Sequence, residues 1–318
     1  MSLRTSRKSF TPAVALLVLS LLWAAGSLRA DLLPNPAPAD LPPLERAAIP
    51  LALLALAAVL IALVRRAPWP RGSQLLLALS VALGLFVAPA WLVQLTQNSV
   101  PSLTRVALFS LVPVFAVVLE PHLSLRSEPD APRIAFGLAA SLAAVLGALL
   151  LFPLDLPGSL TAAAAQCALV LAAFLIAASN CLAVRAARAL PPGSLASFAA
   201  LAGAFAAAAL LLSSLIVSPS RFRIPAPAST LLWPLQVDLP ALALLFWLFR
   251  RLTAVRMTTR FLFAPLFATL ISALILAPHI SLRDACGLLL LAVSGAWLLF
   301  ASNEPSNADA SPLRLSRD

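Results

Sequence analysis

The sequence predicts an all-α membrane protein with ten transmembrane helices, arranged as two inverted five-helix repeats. Three observations predict it: an apolar composition, ten long apolar runs, and a duplicated motif. Of the 318 residues, 61% are hydrophobic and 11% are charged, and the mean hydropathy is +0.98. Soluble domains carry about 25% charged residues. Because a soluble chain of this size leaves much surface in water, a lipid bilayer is the solvent that fits this composition.

The apolar runs have the length of membrane spans, which need about 20 residues. Proline, glycine and charged residues separate them, as in Pro191-Pro192-Gly193. The runs do not alternate as barrel strands do, and backbone groups inside lipid have to be paired, so helices are expected. The predicted spans are 12–30, 47–64, 73–95, 101–119, 134–153, 160–184, 194–217, 229–249, 257–277 and 284–301.

The first run also resembles a signal peptide, with Arg4, Arg7 and Lys8 as its basic region. A cut after Ala30 would leave Leu28 at the −3 position, where a small residue is normal. We therefore expect this run to be the first span. The segment 31–46 that follows is Pro-rich and acidic, and we expect it to be an external connection.

The distribution of basic residues predicts the orientation. If the N-terminus is cytoplasmic, 15 of the 22 Lys and Arg residues lie in cytoplasmic segments and 6 in external ones, and Arg260 lies inside the ninth span. Such a bias orients membrane proteins. The net charge of +10 therefore indicates topology rather than a nucleic-acid partner. We expect both termini in the cytoplasm and the protein in a bacterial inner membrane, with Arg221 and Arg223 as an external exception.

A polar motif occurs twice at the junctions of helices 4–5 and 9–10. The stretch 119–126, LEPHLSLR, recurs at 276–283 as LAPHISLR, with six of eight positions identical. This predicts one repeat over 1–153, a second over 154–301, and a polar tail at 302–318. Five helices per repeat is an odd number, so the second repeat is expected upside down, an arrangement typical of secondary transporters. Both histidines, His122 and His279, belong to the motif, and loop capping is their expected role.

Several stretches resemble a known family. The chain is similar to EamA-type members of the drug/metabolite transporter superfamily, which have a five-plus-five inverted duplication. The resemblance implies secondary transport of a small metabolite by alternating access. The sequence departs from the family at Ala24, where glycine is usual, and at Ala277, where glutamate is frequent, whereas Glu120 keeps the glutamate in the first copy. The stretches that carry the resemblance are Leu22-Trp23-Ala24, 108–116, Asn180–Arg185, Arg250–Arg256, Leu262–Ala268, and Gly287 with Gly295.

Asp238 is the leading candidate for a substrate or coupling residue, because ionisable groups inside a span are costly. It lies nine residues into the predicted eighth span, or about 14 Å deep at 1.5 Å per residue. Pro234 and Pro240 flank it, and each removes a backbone donor and can open the helix. Gln236 lies nearby. The alternative is that helix 8 begins near Leu239, which would leave Asp238 at the external surface.

The remaining candidates are polar or aromatic residues of the predicted spans. Arg260 lies about one turn inside helix 9, where its stem could extend to the interface or its charge could bind an anionic substrate. Glu120 is expected to be a solvated or Arg-paired loop residue. Amides in spans often join helices by hydrogen bonds, and tryptophans line interfaces or cavities. These further candidates are Trp23, Trp91, Gln94, Gln166 and Asn180.

The motifs of other functional classes do not occur in this sequence. It has no Walker A or GxSxG motif, and Cys167, Cys181 and Cys286 have no metal-binding spacing, so we expect neither an enzyme nor a cofactor or metal site. The expected partners are a small-molecule substrate and the lipid bilayer, with a proton as the candidate coupling ion. The alternatives are a flippase for lipid-linked substrates, an integral membrane enzyme acting on lipid or prenyl substrates, and a membrane assembly subunit.

Overall fold

The structure, a computed structural model, describes residues 3–28, 42–123, 131–191, 193–217, 228–276 and 281–300. Throughout these ranges the regular secondary structure is helical. Helix α8 continues through Ala228–Trp233, Pro234–Asp238 and Leu239–Phe249, and α9 through Ala254–Thr258 and Arg260–Leu276. The other helices are α1 Leu3–Ser27, α2 Pro43–Val64, α3 Ser73–Thr96, α4 Ser102–Leu123, α5 Ala131–Leu151, α6 Leu160–Ala189, α7 Leu195–Val217 and α10 Leu282–Phe300.

The helices have the length and composition of membrane spans. In the described part of the chain, nine are long and apolar enough to cross a bilayer, and α1 carries a shorter apolar stretch, Thr11–Ser27. Helix α1 packs against α8 and α9, with Leu16 and Leu19 fully buried. The protein is therefore a multi-pass α-helical membrane protein.

Each predicted run falls on one of these helices, with differences at the ends. Helix α6 continues to Ala189, beyond the predicted end at 184. Helix α2 begins at Pro43, so residues 43–46 of the predicted external connection are helical. The loop with Arg221 and Arg223, the tail 302–318 and residues 277–280 of the second LAPHISLR motif lie outside the described residues.

The packing partners of the helices follow a regular pattern. Helix α1 packs on α8 and α9, and α6, five helices later, packs on α3 and α4. In the same way α2 packs on α8 while α7 packs on α3, and α4 packs on α5 while α9 packs on α10. The most extensive contacts, α2 with α7 and α5 with α10, pair helices that are themselves five apart. The main contacts are thus preserved when each helix is replaced by the one five positions away, and α6 packs in addition on α8 and α9.

Helices α3 and α8 contain a π-helical turn at the same relative place. The π segments are Leu83–Val87 and Pro234–Asp238, and each is closed by an N–H that bonds five residues back, from Ala88 to Leu83 and from Leu239 to Pro234. Pro89 and Pro240 each lie two residues after the end of the π segment. A proline has no N–H for the α-helical pattern, so a widened turn before it is a physical solution. Such turns are frequent at functional sites.

Gly84 gives a test of the packing at the first π segment. A Cβ at this position would collide with Oγ of Ser179 on α6. We expect Gly84→Ala to destabilise the protein by about 1–3 kcal/mol, as overpacking does. The double variant Gly84→Ala/Ser179→Ala removes the colliding hydroxyl and should recover most of the loss, measured by thermal unfolding in detergent. Equal stability of Gly84→Ala and the unmodified protein would contradict the described contact.

Candidate functional site

A cavity of about 400 Å³ lies inside the helix bundle. This volume is within the range of sites for small molecules. Fourteen of its sixteen lining residues are apolar, and the two charged ones are Asp238 and Arg260. The lining residues are Trp23, Ala47, Pro50, Leu51, Leu85, Phe86, Pro89, Ala90, Val93, Ile176, Leu210, Asp238, Leu242, Leu245, Arg260 and Phe261.

The lining residues come from both sets of five helices. Leu85, Phe86 and Pro89 belong to the π segment of α3 and the turn after it, and Asp238 is the last residue of the equivalent segment of α8. Helices α1 and α2 contribute from the first set, and α6, α7 and α9 from the second. The two widened turns therefore bring irregular backbone to the wall of one cavity, which is where a membrane protein tolerates it.

Asp238 lies near the middle of α8. The helix begins at Ala228 and ends at Phe249, so Asp238 is about 15 Å from its start at 1.5 Å per residue. The alternative in which helix 8 begins near Leu239 is therefore wrong. The side chain is half-buried, borders the cavity and has an interaction partner in the structure. Its neighbour Gln236 is exposed and is not among the described residues that line the cavity.

Arg260 is the largest fully buried side chain of the described residues, with 0% of its surface exposed. Its guanidinium lies over the ring of Trp23 at 5.0 Å and the ring of Phe261 at 4.9 Å. Nη1 donates a hydrogen bond of 2.7 Å to the carbonyl of Met257. Within the described part of the chain, Nε and Nη2 have no hydrogen-bond partner. The expectation that Arg260 extends to the interface is wrong, because it lies beside an internal cavity.

Of the other candidates, Trp23 also lines the cavity, together with Asp238 and Arg260. The remaining ones lie elsewhere. Trp91 donates from Nε1 to Ser213 Oγ at 2.8 Å and so joins α3 to α7. Gln166 donates from Nε2 to the Asp155 carbonyl at 2.7 Å. The Trp91 contact serves helix packing, as polar groups in spans often do, and the Gln166 contact ties α6 to the connection that precedes it.

Two amides have an oxygen that is buried in the bundle. Asn180 on α6 is fully buried and donates to the Ile176 carbonyl at 2.7 Å. Oδ1 of Asn180 and Oε1 of Gln94 are buried, and neither has a hydrogen-bond partner among the described residues. Neither residue is part of the described cavity wall, so the geometry leaves them outside the group formed by Asp238, Arg260 and Trp23.

Glu120 joins two helices at one end of the bundle. Its carboxylate accepts hydrogen bonds from the backbone N–H groups of Ala254, at 3.3 Å, and Val255, at 3.0 Å, and so caps the start of α9. It is therefore a cap between α4 and α9, and the expectation of a solvated or Arg-paired residue is wrong. Arg188 donates to the Leu252 carbonyl at 3.0 Å, which ties the same connection to α6. We call this the Glu120 end.

The cavity extends toward the opposite end of the bundle. Ser197 at the start of α7 donates to the Pro68 carbonyl after α2, and Arg250 donates to the Leu190 carbonyl after α6, so α2 ends at the Glu120 end. The cavity is lined by the first turns of α2 and the second half of α3, which lie away from that end. Arg260, near the start of α9, therefore lies on the Glu120 side of the cavity.

Removal of the Glu120 cap should loosen this end. We expect Glu120→Ala to lower the free energy of unfolding by about 1–2 kcal/mol, the usual value of a helix cap. Glu120→Gln keeps one acceptor oxygen of the same shape and should lose less. Thermal unfolding of the purified variants measures both. If the two variants were as stable as the unmodified protein, the contact with α9 would have no role in holding this end closed.

Two features of the structure, one of them at the cavity wall, were not predicted from the sequence. Glu45 is buried in the first turn of α2, with 2% of its surface exposed, and it has an interaction partner. The signal for it was the pair Pro42-Pro43, since proline is favoured at the first position of a helix and an acid in the first turn. Pro89, which follows the first π segment, is the counterpart of Pro240, and a comparison of the two halves around Pro240 would have found it.

Comparisons with known proteins give a fold. No family model matches the chain, and no curated protein matches it significantly. A solved structure described only as "Crystal structure of protein" is similar over 91% of this chain and 98% of its own, with a TM-score of 0.67 and 16% sequence identity. At this identity, the likeness indicates a shared fold and carries no information on function.

Proposed function

We propose that the protein is a secondary transporter of a small metabolite that works by alternating access, with ten spans in two inverted five-helix repeats of the EamA type. One observation carries the proposal. The cavity lies where the two sets of five helices meet, and the equivalent helices α3 and α8 are both widened at its wall. Secondary transporters bind substrate at such repeat interfaces, beside interrupted helices.

The contact pattern supports the inverted repeat. Two copies of one unit that are related by a two-fold axis must make equivalent contacts, and the main packing partners of α1–α5 match those of α6–α10. Such a pair of halves can exchange conformations, so that the cavity opens first to one side of the membrane and then to the other. The tie of Glu120 to α9 closes one side in the state described here.

The orientation is part of the proposal. The basic residues of the Glu120 end include Arg185, Arg188, Arg250, Arg251 and Arg256, which fits a cytoplasmic end under the positive-inside rule. We propose that the protein resides in a bacterial inner membrane with both termini in the cytoplasm, and that the described state is open toward the outside. Asp238, half-buried at mid-depth, is the candidate group that binds a coupling proton.

Reconstituted vesicles test the proposal. A broad panel of labelled metabolites is offered to vesicles with and without a proton gradient, and we expect saturable flux of at least one compound that the gradient changes. Fluorescent lipids in the same vesicles test the flippase alternative. Movement of lipids without flux of any soluble metabolite would overturn the transporter proposal, and chemical conversion of a lipid or prenyl substrate would favour an enzyme.

A further inference from the structure

Arg260 is a buried cation with unused hydrogen-bonding capacity at the wall of the cavity. Its side chain is 0% exposed, and Nη1 is bonded to the Met257 carbonyl. The two nitrogens without a partner among the described residues, Nε and Nη2, share one edge of the planar guanidinium. That edge presents two parallel N–H donors, the geometry that binds a carboxylate bidentately.

Two aromatic rings contact the guanidinium of Arg260. Trp23 and Phe261 lie at 5.0 and 4.9 Å from the guanidinium carbon, and their rings contact each other edge-to-face with centroids 5.9 Å apart. Aromatic faces bind a guanidinium by cation–π attraction and leave its in-plane donors free. The aromatic contacts thus stabilise the cation and do not replace a hydrogen-bond acceptor.

The described cavity wall offers no hydrogen-bond acceptor to two nitrogens of Arg260. Asp238, the other charged residue of the wall, has an interaction partner in the structure, whereas two nitrogens of Arg260 have none among the described residues. Leaving a buried donor unsatisfied is costly, and more so for a charged group. A ligand that fills the cavity and supplies an oxyanion removes this cost.

We propose that Arg260 anchors the carboxylate of the transported molecule, which is therefore a small monocarboxylate with an apolar body. The inference rests on the proposed function in taking this cavity as the substrate site. A carboxylate brings a single negative charge to a single guanidinium, whereas a phosphate monoester carries about 1.5 to 2 charges at pH 7. The apolar remainder of the wall fits a hydrocarbon body. Because Arg260 is fully buried, the ring of Trp23, which is half-buried over the guanidinium, has to move before a carboxylate can reach it.

Matched pairs of probes test the anchor. Purified full-length protein is titrated with 3-phenylpropionate against its neutral isostere 3-phenylpropanamide, with hexanoate against hexanamide, and with phenyl phosphate. We expect at least one carboxylate to bind at least about tenfold more tightly than its amide, since a charge-assisted bidentate pair is worth more than about 1.4 kcal/mol. Arg260→Gln should abolish this preference. Arg260→Lys keeps the positive charge but not the two parallel N–H donors, and should keep part of the preference.

Arg105→Gln is the matched control, because Arg105 is a half-buried arginine of α4 that is not part of the described cavity wall. It should leave the preference intact. Equal binding of acids and amides, tighter binding of phenyl phosphate than of both acids, an unchanged preference in Arg260→Gln, or no binding of any probe would overturn the inference. If Arg260→Gln does not fold, judged by size-exclusion chromatography, the comparison of acid with amide and the Arg260→Lys variant decide.

Vesicle flux separates this inference from the proposed function. Carboxylates that bind with the Arg260-dependent preference but do not cross the membrane would leave the anchor in place and contradict transport. Saturable flux of neutral or cationic compounds, with no preference for carboxylates, would leave transport in place and contradict the anchor.

Discussion

Asp238→Asn is expected to reduce the gradient-driven flux at least about tenfold and to remove its dependence on pH. The substitution keeps the size of the side chain and one acceptor oxygen but replaces the carboxyl group, which can bind and release a proton, by an amide, which cannot. Asp238 is an acid in the middle of a span and at the wall of the cavity, where ionisable groups serve proton and substrate pathways. A tenfold loss corresponds to about 1.4 kcal/mol.

Asp284→Asn provides the control for that experiment. Asp284 is a partly exposed acid in the first turn of α10, where it accepts hydrogen bonds from Ser281, and it is not part of the described cavity wall. Its substitution should leave flux and pH profile unchanged. Initial rates across a pH series in vesicles measure both variants. An Asp238→Asn protein with the rate and pH profile of the unmodified protein would remove Asp238 from the coupling mechanism.

Gly147→Leu is expected to prevent stable assembly of the bundle. Helices α5 and α10 cross where Gly147 and Gly287 face each other, and a Cβ on Gly147 would lie 3.0 Å from the Gly287 carbonyl oxygen and 3.0 Å from the Leu291 nitrogen. A Cβ on Gly287 would lie 2.9 Å from the Gly147 carbonyl oxygen. Backbone atoms cannot rotate away as side chains do, so a larger residue separates the two helices. Small residues at such crossings let backbones approach closely.

The effect should scale with side-chain size. Gly147→Ala is expected to cost about 1–3 kcal/mol, and Gly147→Leu to abolish the monodisperse protein peak in size-exclusion chromatography. Gly26→Leu is the control, since no atom from other parts of the described chain lies within 4 Å of a Cβ built on Gly26 in α1. A monodisperse Gly147→Leu protein with unchanged thermal stability would contradict the close crossing of α5 and α10.

The positions of the helices were predictable because hydropathy and span length depend on local sequence. The ends were less predictable. Helix α2 begins earlier than predicted. The proline-rich, acidic composition around Glu45 predicts a loop, whereas proline is also favoured at the first position of a helix. Asp238 could be placed at two depths because the prolines around it fit either a break within a helix or a helix start. The described helix continues through Pro234 by widening into a π turn.

The partners of the candidate residues were not predictable, because packing joins residues that are far apart in sequence. The distance of Arg260 from the helix end predicts that its side chain extends to the interface, but its environment is set by Trp23 on α1. The polar junction around Glu120 predicts a loop residue, but its carboxylate oxygens accept hydrogen bonds from backbone N–H groups at the start of α9. Hydropathy and periodicity describe one helix at a time and contain no information on such pairs.

Access to the cavity from the two sides of the membrane tests the central claim most directly. Phe86→Cys places a thiol on the cavity wall, in a background where Cys167, Cys181 and Cys286 are replaced. A membrane-impermeant thiol reagent is applied from outside or inside oriented vesicles, with and without the transported compound. Alternating access predicts labelling from both sides, with proportions that the compound shifts. Labelling from one side only, whatever compound is present, would contradict it.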